Sequence, residues 1–195
     1  FKGIRVFYTG ESVKPRWDEC DYAISFMKGD IPYPECHLRM PCWMNNGPVR
    51  RTGKIEQYSK DRKSLLSRHT RFCSFVYSNG NAPERIHFLR LLSRYKHVDC
   101  GGMVMNNMGS CVRDKIAFCS SCKFTIAFEN YPAAGYVTEK LFDSLAALSL
   151  PIYWGAPDAG MEANPSRFVN AADFSTPEAL AEYVIRLDQD EDLYL

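Results

Sequence analysis

One connection holds most of the groups with chemistry to offer. The run Glu129-Asn130-Tyr131-Pro132-Ala133-Ala134-Gly135-Tyr136-Val137-Thr138-Glu139-Lys140 gathers carboxylates, an amide, phenols and an ammonium between an apolar pentad and a helical pattern. Two cations stand where helix electrostatics disfavour them. Arg85, two residues past Pro83, and Lys140, two past Thr138, fall in the first turn of a predicted helix, where the macrodipole opposes positive charge by about 0.3–1 kcal/mol. An anion at the helix start reverses that sign. A diphosphate on the free N–H groups would favour both cations, with the Arg85 fork gripping it bidentately. Solvated first-turn Lys and Arg are common, so neither residue alone says much; the pair, each after a strand end, points to a bound anion. Glu11 sits just beyond the strand that closes at Gly10, by position alone an exposed loop carboxylate. Glu129 has two open readings, a buried carboxylate accepting backbone N–H bonds or a direct catalytic group.

The elements that must position these groups read as alternating strands and helices. Arg5–Thr9 and Tyr22–Phe26 are predicted strands, followed by an irregular stretch through Pro32, Pro34, Pro41 and Pro48. Phe72–Tyr77 reads as a buried strand, Ser78-Asn79-Gly80-Asn81 as a turn, and Pro83–Tyr95 as a helix with Ile86, Leu89 and Leu92 on its apolar face. Val98–Cys100 and Phe124–Phe128 are further strands. Thr138 caps a helix predicted over Glu139–Ser149, and Pro151–Trp154 returns as a strand ended by Gly155. A last helix opens at Thr176 with Pro177 at N1, or at Ser175 with Glu178 as a capping box, and carries Leu180, Val184 and Leu187. Its C-terminal end is expected to lie beyond Leu195, and the start at Phe1 without Met also reads as part of a longer polypeptide. This order implies an α/β fold with an open parallel sheet covered on both faces. Ligands then bind at the carboxyl ends of strands, in the loops after Tyr77, Phe128 and Trp154.

Composition narrows the function classes. A chain of 195 residues that is 46% hydrophobic can bury a full core, which excludes a disordered segment. Its best apolar stretch, Leu141–Trp154, is short and contains Asp143 and Pro151, below the roughly 18 residues of a bilayer span. Positive charge is concentrated in Asn45–Arg71, where eight Lys or Arg face only Glu56 and Asp61. A solvated linker accounts for this better than a nucleic-acid patch, because only Tyr58 is there to stack on bases. Cys119-Ser120-Ser121-Cys122 lacks a second Cys-x-x-Cys partner, so the eight cysteines are expected as free thiols, mostly buried, without zinc.

Ala127-Phe128-Glu129-Asn130, Tyr136-Val137-Thr138-Glu139-Lys140-Leu141 and Pro151-Ile152-Tyr153-Trp154-Gly155 together resemble the α1,3-fucosyltransferase family, bacterial members in particular. Val6–Glu11, Cys20–Ile24, Leu38–Pro41, Ser78–Arg85, Asn164-Pro165, Phe168–Asn170 and Asp173-Phe174 extend the likeness to nearly the whole chain outside Asn45–Arg71. The resemblance implies a GT-B glycosyltransferase: residues 1–44 as the end of an acceptor-side domain, 45–71 as a basic variable linker, and 72–195 as a GDP-fucose-binding α/β domain truncated at its C-terminus. It implies Glu11 as general base and Arg85 and Lys140 on the donor phosphates. Asn130, Tyr136 and Glu139 become further donor contacts, Glu139 on the ribose hydroxyls, with Ser78, Asn79 and Glu129 as additional candidates.

The implied reaction is inverting transfer of fucose from GDP-fucose to a glycan hydroxyl, O3 of N-acetylglucosamine, in an α1,3 linkage. No cofactor or metal is required on this reading, because Arg85 and Lys140 are expected to meet the phosphate charge, although a divalent cation is an expected stimulant. The expected partners are GDP-fucose and an oligosaccharide or glycoconjugate acceptor, not nucleic acid, with peripheral membrane contact through segments outside this sequence. Location follows as the cytoplasm or membrane surface of a bacterium, or the Golgi lumen for a eukaryotic source. A GT-B transferase with another sugar nucleotide, and a nucleotide-sugar-binding protein without turnover, stay open beside it.

Overall fold

The structure, a computed structural model, describes residues 3–46 and 62–195. Most of the basic segment, residues 47–61, lies outside the described residues. Two parallel sheets carry the site. The smaller has the order β1-β2-β3, from Val6–Tyr8, Tyr22–Ser25 and His37–Arg39. Its third strand lies within the stretch expected to be irregular. Three residues with little strand propensity are held there by pairing with β2, Ile24 opposite Leu38, an arrangement only the tertiary fold supplies.

The larger sheet runs β5-β4-β6-β7-β8, all parallel, from Val98–Cys100, Arg71–Phe75, Cys122–Phe128, Leu150–Trp154 and the two-residue Val169–Asn170. Ahead of it lies α1, Arg62–Arg68, at the end of the stretch read as a linker. After β4 comes α2 (Pro83–Ser93), after β5 α3 (Lys115–Cys119), after β6 α4 (Glu139–Ala146), and after β8 α5 (Pro177–Gln189) with a last turn, α6 (Glu191–Tyr194). Packing of α2 on α5, and of α3 on α4, puts one helix pair on each face. This is the covering that a parallel sheet needs.

Strand alternation explains the two cores. Phe124, Ile126 and Phe128 of β6, with Ile152 of β7, point toward α2 and α5 and join Phe88, Leu89, Leu92, Leu180, Val184 and Leu187. Ala127 and Tyr153 point the other way, to Val137, Leu141 and Phe168. Each fully buried Leu or Phe contributes about 1.5–3 kcal/mol. Polar side chains in the sheet satisfy one another: Ser74 Oγ lies 2.7 Å from Thr125 Oγ1, which lies 2.8 Å from Ser149 Oγ.

Several expected boundaries move. The α4 helix ends at Ala146 rather than Ser149, because Leu148 takes φ 60° to turn the chain into β7. Helix α5 starts where Thr176 predicts, its hydroxyl accepting the Ala179 N–H at 3.1 Å, but it closes at Gln189 within the sequence. Cys119 ends a helix that the sequence pattern did not reveal, and Cys122 opens β6. All eight cysteines are unpaired, six of them buried. Burial pushes the Cys100 and Cys122 thiols up to about 11, far from thiolate at neutral pH.

Candidate active site

Because β5 and β6 flank β4 on opposite sides, the chain reverses its direction of winding between β4 and β6. A crevice opens there at the strand ends. Arg85, Asn130, Ser78 and Asn79 meet at this point. Arg85 is almost wholly buried, 1% exposed, with its guanidinium 3.8 Å over the Tyr77 ring. Its Nη2 donates to the Phe128 carbonyl and to Asn130 Oδ1, both at 2.9 Å, and Nη1 donates to the Asn79 carbonyl at 3.2 Å. Tyr77 completes the tie, donating to the Ile126 carbonyl at 2.6 Å and accepting the Phe128 N–H at 2.8 Å.

Nη1 and Nη2 of Arg85 are engaged by these protein oxygens, which fastens the loop after β4 to the loop after β6. Burial lowers its pKa, yet a guanidinium keeps its charge in a protein, so a positive centre remains beneath the crevice. Nε finds no acceptor among the described residues. Ser78 and Asn79 are exposed on the rim, and Asn79 Oδ1 accepts the Asn81 N–H at 2.8 Å.

Glu129 settles as a buried carboxylate, 0% exposed. It accepts the Thr138 N–H at 2.8 Å and the Thr138 hydroxyl at 2.7 Å, which closes the loop between β6 and α4 into a clamp. Burial pushes its pKa up, against the opposing pull of Lys140 and the Thr138 bonds. Lys140 Nζ lies 3.4 Å from Glu129 Oε2 and donates to Thr138 Oγ1 at 3.0 Å. The ammonium therefore sits over the first turn of α4, whose N-cap Thr138 is fixed from below. Glu139 beside it is half-buried; burial would raise its pKa, but Lys140 and Lys115 outweigh this and hold it below the usual carboxylate range.

Glu11 reaches this cluster from the other sheet. It is exposed in the loop after β1, and the buried Tyr136 phenol donates to its Oε2 at 3.0 Å. Burial, then the Glu11 charge, raises the Tyr136 pKa strongly, so the phenol keeps its proton. Glu11, Tyr136, Glu139 and Lys140 thus meet between the sheets, while Arg85, Asn130 and Asn79 lie at the switch point. On the α2–α5 face the same strand ends border a cavity of about 430 Å³ walled by Phe88, Phe128, Trp154 and Phe174. It contains none of these charged groups.

Sequence reasoning missed Tyr77, which orients Arg85, and a group that joins the halves: Lys28, Arg39 and Trp43 from the smaller-sheet side, Asp158 and Glu162 from the loop after β7. The signal for Asp158 was present, since it is a carboxylate just past Gly155 at a strand end. Among the described residues no cluster of three or more His, Cys, Asp or Glu is arranged to hold a metal, and no helix is long and apolar enough to cross a membrane.

Comparison with known proteins gives consistent findings. The family model "Glycosyltransferase family 10 (fucosyltransferase) C-term" matches residues 66–195, and that of the "Alpha-(1,3)-fucosyltransferase FucT N-terminal domain" matches residues 1–45. The chain is 32% identical over 219 residues to "Alpha-(1,3)-fucosyltransferase FucT" of Helicobacter pylori, covering 98% of this chain and 45% of that protein. It is 32% identical to "Glycoprotein 3-alpha-L-fucosyltransferase A" of Drosophila melanogaster over 72% of this chain and 29% of the other. A solved α1,3-fucosyltransferase with GDP-fucose superposes with a TM-score of 0.83 at 32% identity, over 98% of this chain and 64% of that one. One with GDP gives 0.82 at 30%, over 97% and 63%. The chain spans less than half the length of these curated relatives. With its GT-B type parallel-sheet architecture and the family model matched over most of its length, the chain belongs to glycosyltransferase family 10, the α1,3-fucosyltransferases.

Proposed function

We propose that the protein transfers L-fucose from GDP-β-L-fucose to a glycan hydroxyl, O3 of N-acetylglucosamine, with inversion to an α1,3 linkage. The observation that carries this reading is the Tyr136–Glu11 hydrogen bond of 3.0 Å, which ties an exposed carboxylate from the smaller-sheet side to the loop that leads into α4. In a single displacement, Glu11 takes the acceptor hydroxyl proton as its oxygen bonds to fucose C1. The C1–O bond to the β-phosphate breaks on the opposite face, and its electron pair leaves with GDP. Lys140, on the free N–H groups of α4, meets the charge that develops there. Arg85 adds positive potential from beneath and keeps Asn79 and Asn130 in place, and Glu139 faces the ribose. On this reading GDP-fucose and the acceptor glycan are the partners and no metal is required, a divalent cation acting only as a stimulant. Peripheral membrane contact in a bacterial cytoplasm, or a Golgi location for a eukaryotic source, goes with the same reading.

The test compares Glu11→Gln with the unsubstituted protein, using GDP-fucose and an N-acetyllactosamine acceptor. Gln still accepts the Tyr136 hydrogen bond but cannot take a proton at neutral pH. Transfer is expected to fall about 10²- to 10⁴-fold, with GDP affinity by calorimetry unchanged. An undiminished rate would remove Glu11 from the mechanism. Faster hydrolysis of a UDP- or other GDP-linked sugar would reassign the donor.

A further inference from the structure

Glu11 and Lys140 stand on different sheets, so the distance between the proposed base and the proposed leaving-group cation depends on whatever joins the two halves. Lys28, in the loop after β2, places Nζ 2.8 Å from Asp158 Oδ2 and 2.6 Å from Glu162 Oε1. The Arg39 guanidinium at the end of β3 meets the same Glu162 oxygen. Trp43 Nε1 donates to the other Glu162 oxygen at 3.1 Å, its ring stacks on Phe142 of α4 at 4.5 Å, and its backbone N–H donates to the Val137 carbonyl at 3.1 Å. Two cations come from one side and two carboxylates from the other, so the charges balance. The Glu162 side chain is 7% exposed, deep enough that water screens it little.

Asp158 divides its oxygens. Oδ2 takes Lys28 from the other half, and Oδ1 accepts the Gly135 N–H at 2.7 Å. Gly135 immediately precedes Tyr136, and a side chain there would meet the Phe26 carbonyl at 2.7 Å, so the loop is pressed onto the smaller-sheet side with no slack. A continuous path runs from Lys28 through Asp158, Gly135 and Tyr136 to Glu11. We propose that the Lys28–Asp158–Glu162–Arg39 cluster is an ionic latch that sets the separation of Glu11 from the first turn of α4, and that Asp158 and Glu162 are positioning residues for fucosyl transfer. This rests on the function proposed above. The latch acts on the alignment of acceptor and donor: of the implied donor contacts only Tyr136 lies on this path, while Lys140, Glu139, Arg85 and Asn130 lie off it in the larger-sheet half and keep the nucleotide.

The experiment uses the protein with Asp158→Ala, Asp158→Asn and Glu162→Gln. For each, transfer kcat, GDP affinity by calorimetry and hydrogen exchange in a peptide spanning 131–138 are measured. Since about 1 Å of misplacement costs on the order of 10²-fold, Asp158→Ala and Glu162→Gln are expected to lower kcat at least about tenfold. GDP affinity should stay within about twofold, and exchange over 131–138 should speed up. Asp158→Asn, which keeps an acceptor for Gly135, should retain more kcat than Asp158→Ala. Folded variants with unchanged kcat, or a loss of kcat and GDP affinity in step, would overturn the latch. Should Glu162→Gln not fold, the Asp158→Ala and Asp158→Asn pair decides by the same criteria. An inactive unsubstituted protein would instead sink the function reading; exchange and GDP binding would still report on the contact.

Discussion

Lys140 serves two carboxylates, its ammonium 3.4 Å from the buried Glu129 Oε2 and 3.4 Å from Glu139 Oε1; on the proposed mechanism it also meets a phosphate. Lys140→Met should therefore weaken GDP binding about tenfold or more and also destabilise the fold, because Glu129 is left buried without its cation. Removing one partner of a buried pair costs about 3–5 kcal/mol. The two Thr138 bonds and the partial exposure of Lys140 reduce this to about 1–3 kcal/mol, readable by urea denaturation at pH 7.5. Burial raises the Glu129 pKa, so the folded state binds the extra proton, and a deficit due to its charge must shrink as pH falls toward 5. An equal deficit at both pH values would show that charge is not the cause. Arg85 and Lys140 were conspicuous in the sequence as cations in helix first turns. What the sequence could not show is that Phe128 and Asn130, more than forty positions away, take up the Arg85 fork, since that pairing exists only once β4 and β6 lie side by side.

At the scale of elements, the clamp beneath α4 depends on β7 being followed by a residue with no side chain. A Cβ on Gly155 would lie 2.5 Å from Glu129 Cγ, at a φ of 155°. Gly155→Ala should cost about 1–3 kcal/mol by overpacking and weaken GDP binding as the α4 N-cap shifts. Gly80→Ala, whose new methyl would find Val104 at an ordinary 3.8 Å, should change stability by no more than about 0.5 kcal/mol; thermal unfolding of the two variants makes the comparison. Elements with strong periodicity or caps, such as β6, α2 and α5, were legible in the sequence because burial pattern, Pro at N1 and Thr176 all agree. The three-residue β3 and two-residue β8 were not, since each exists only through a partner strand. The overlong reading of α4 has a different cause: Leu148 continues the apolar spacing, but the turn into β7 forces it into the left-handed region at about 1–2 kcal/mol.

At the scale of the molecule, the contact between halves should be acid-labile. Burial alone would raise the pKa values of Asp158 and Glu162, but the hydrogen bonds and charge of Lys28, joined by the Gly135 N–H at Asp158 and by Trp43 and Arg39 at Glu162, together outweigh it and hold both below the ordinary range. Groups depressed in the folded state contribute fully above the unfolded carboxylate values and lose that contribution as pH falls through the folded ones. The contact should therefore persist from neutrality to about pH 4 and fail below it. Trp43 reports this, because its indole donates to Glu162: in a Trp17→Phe, Trp154→Phe background its emission should shift on acidification before far-ultraviolet circular dichroism falls. Lys28→Met should move that midpoint to higher pH; an unmoved midpoint would exclude Lys28 as the cause. The six strand pairings among the described residues are all parallel, so none can nucleate as a local hairpin. In β4 and β6, Arg71 must find Cys122 and Ser74 must find Thr125, each some fifty positions along the chain. High-contact-order steps of this kind are slow. The crevice bordered by these two strands is consequently a late arrival during folding, and the proposed donor site opens only once strands some fifty positions apart have met.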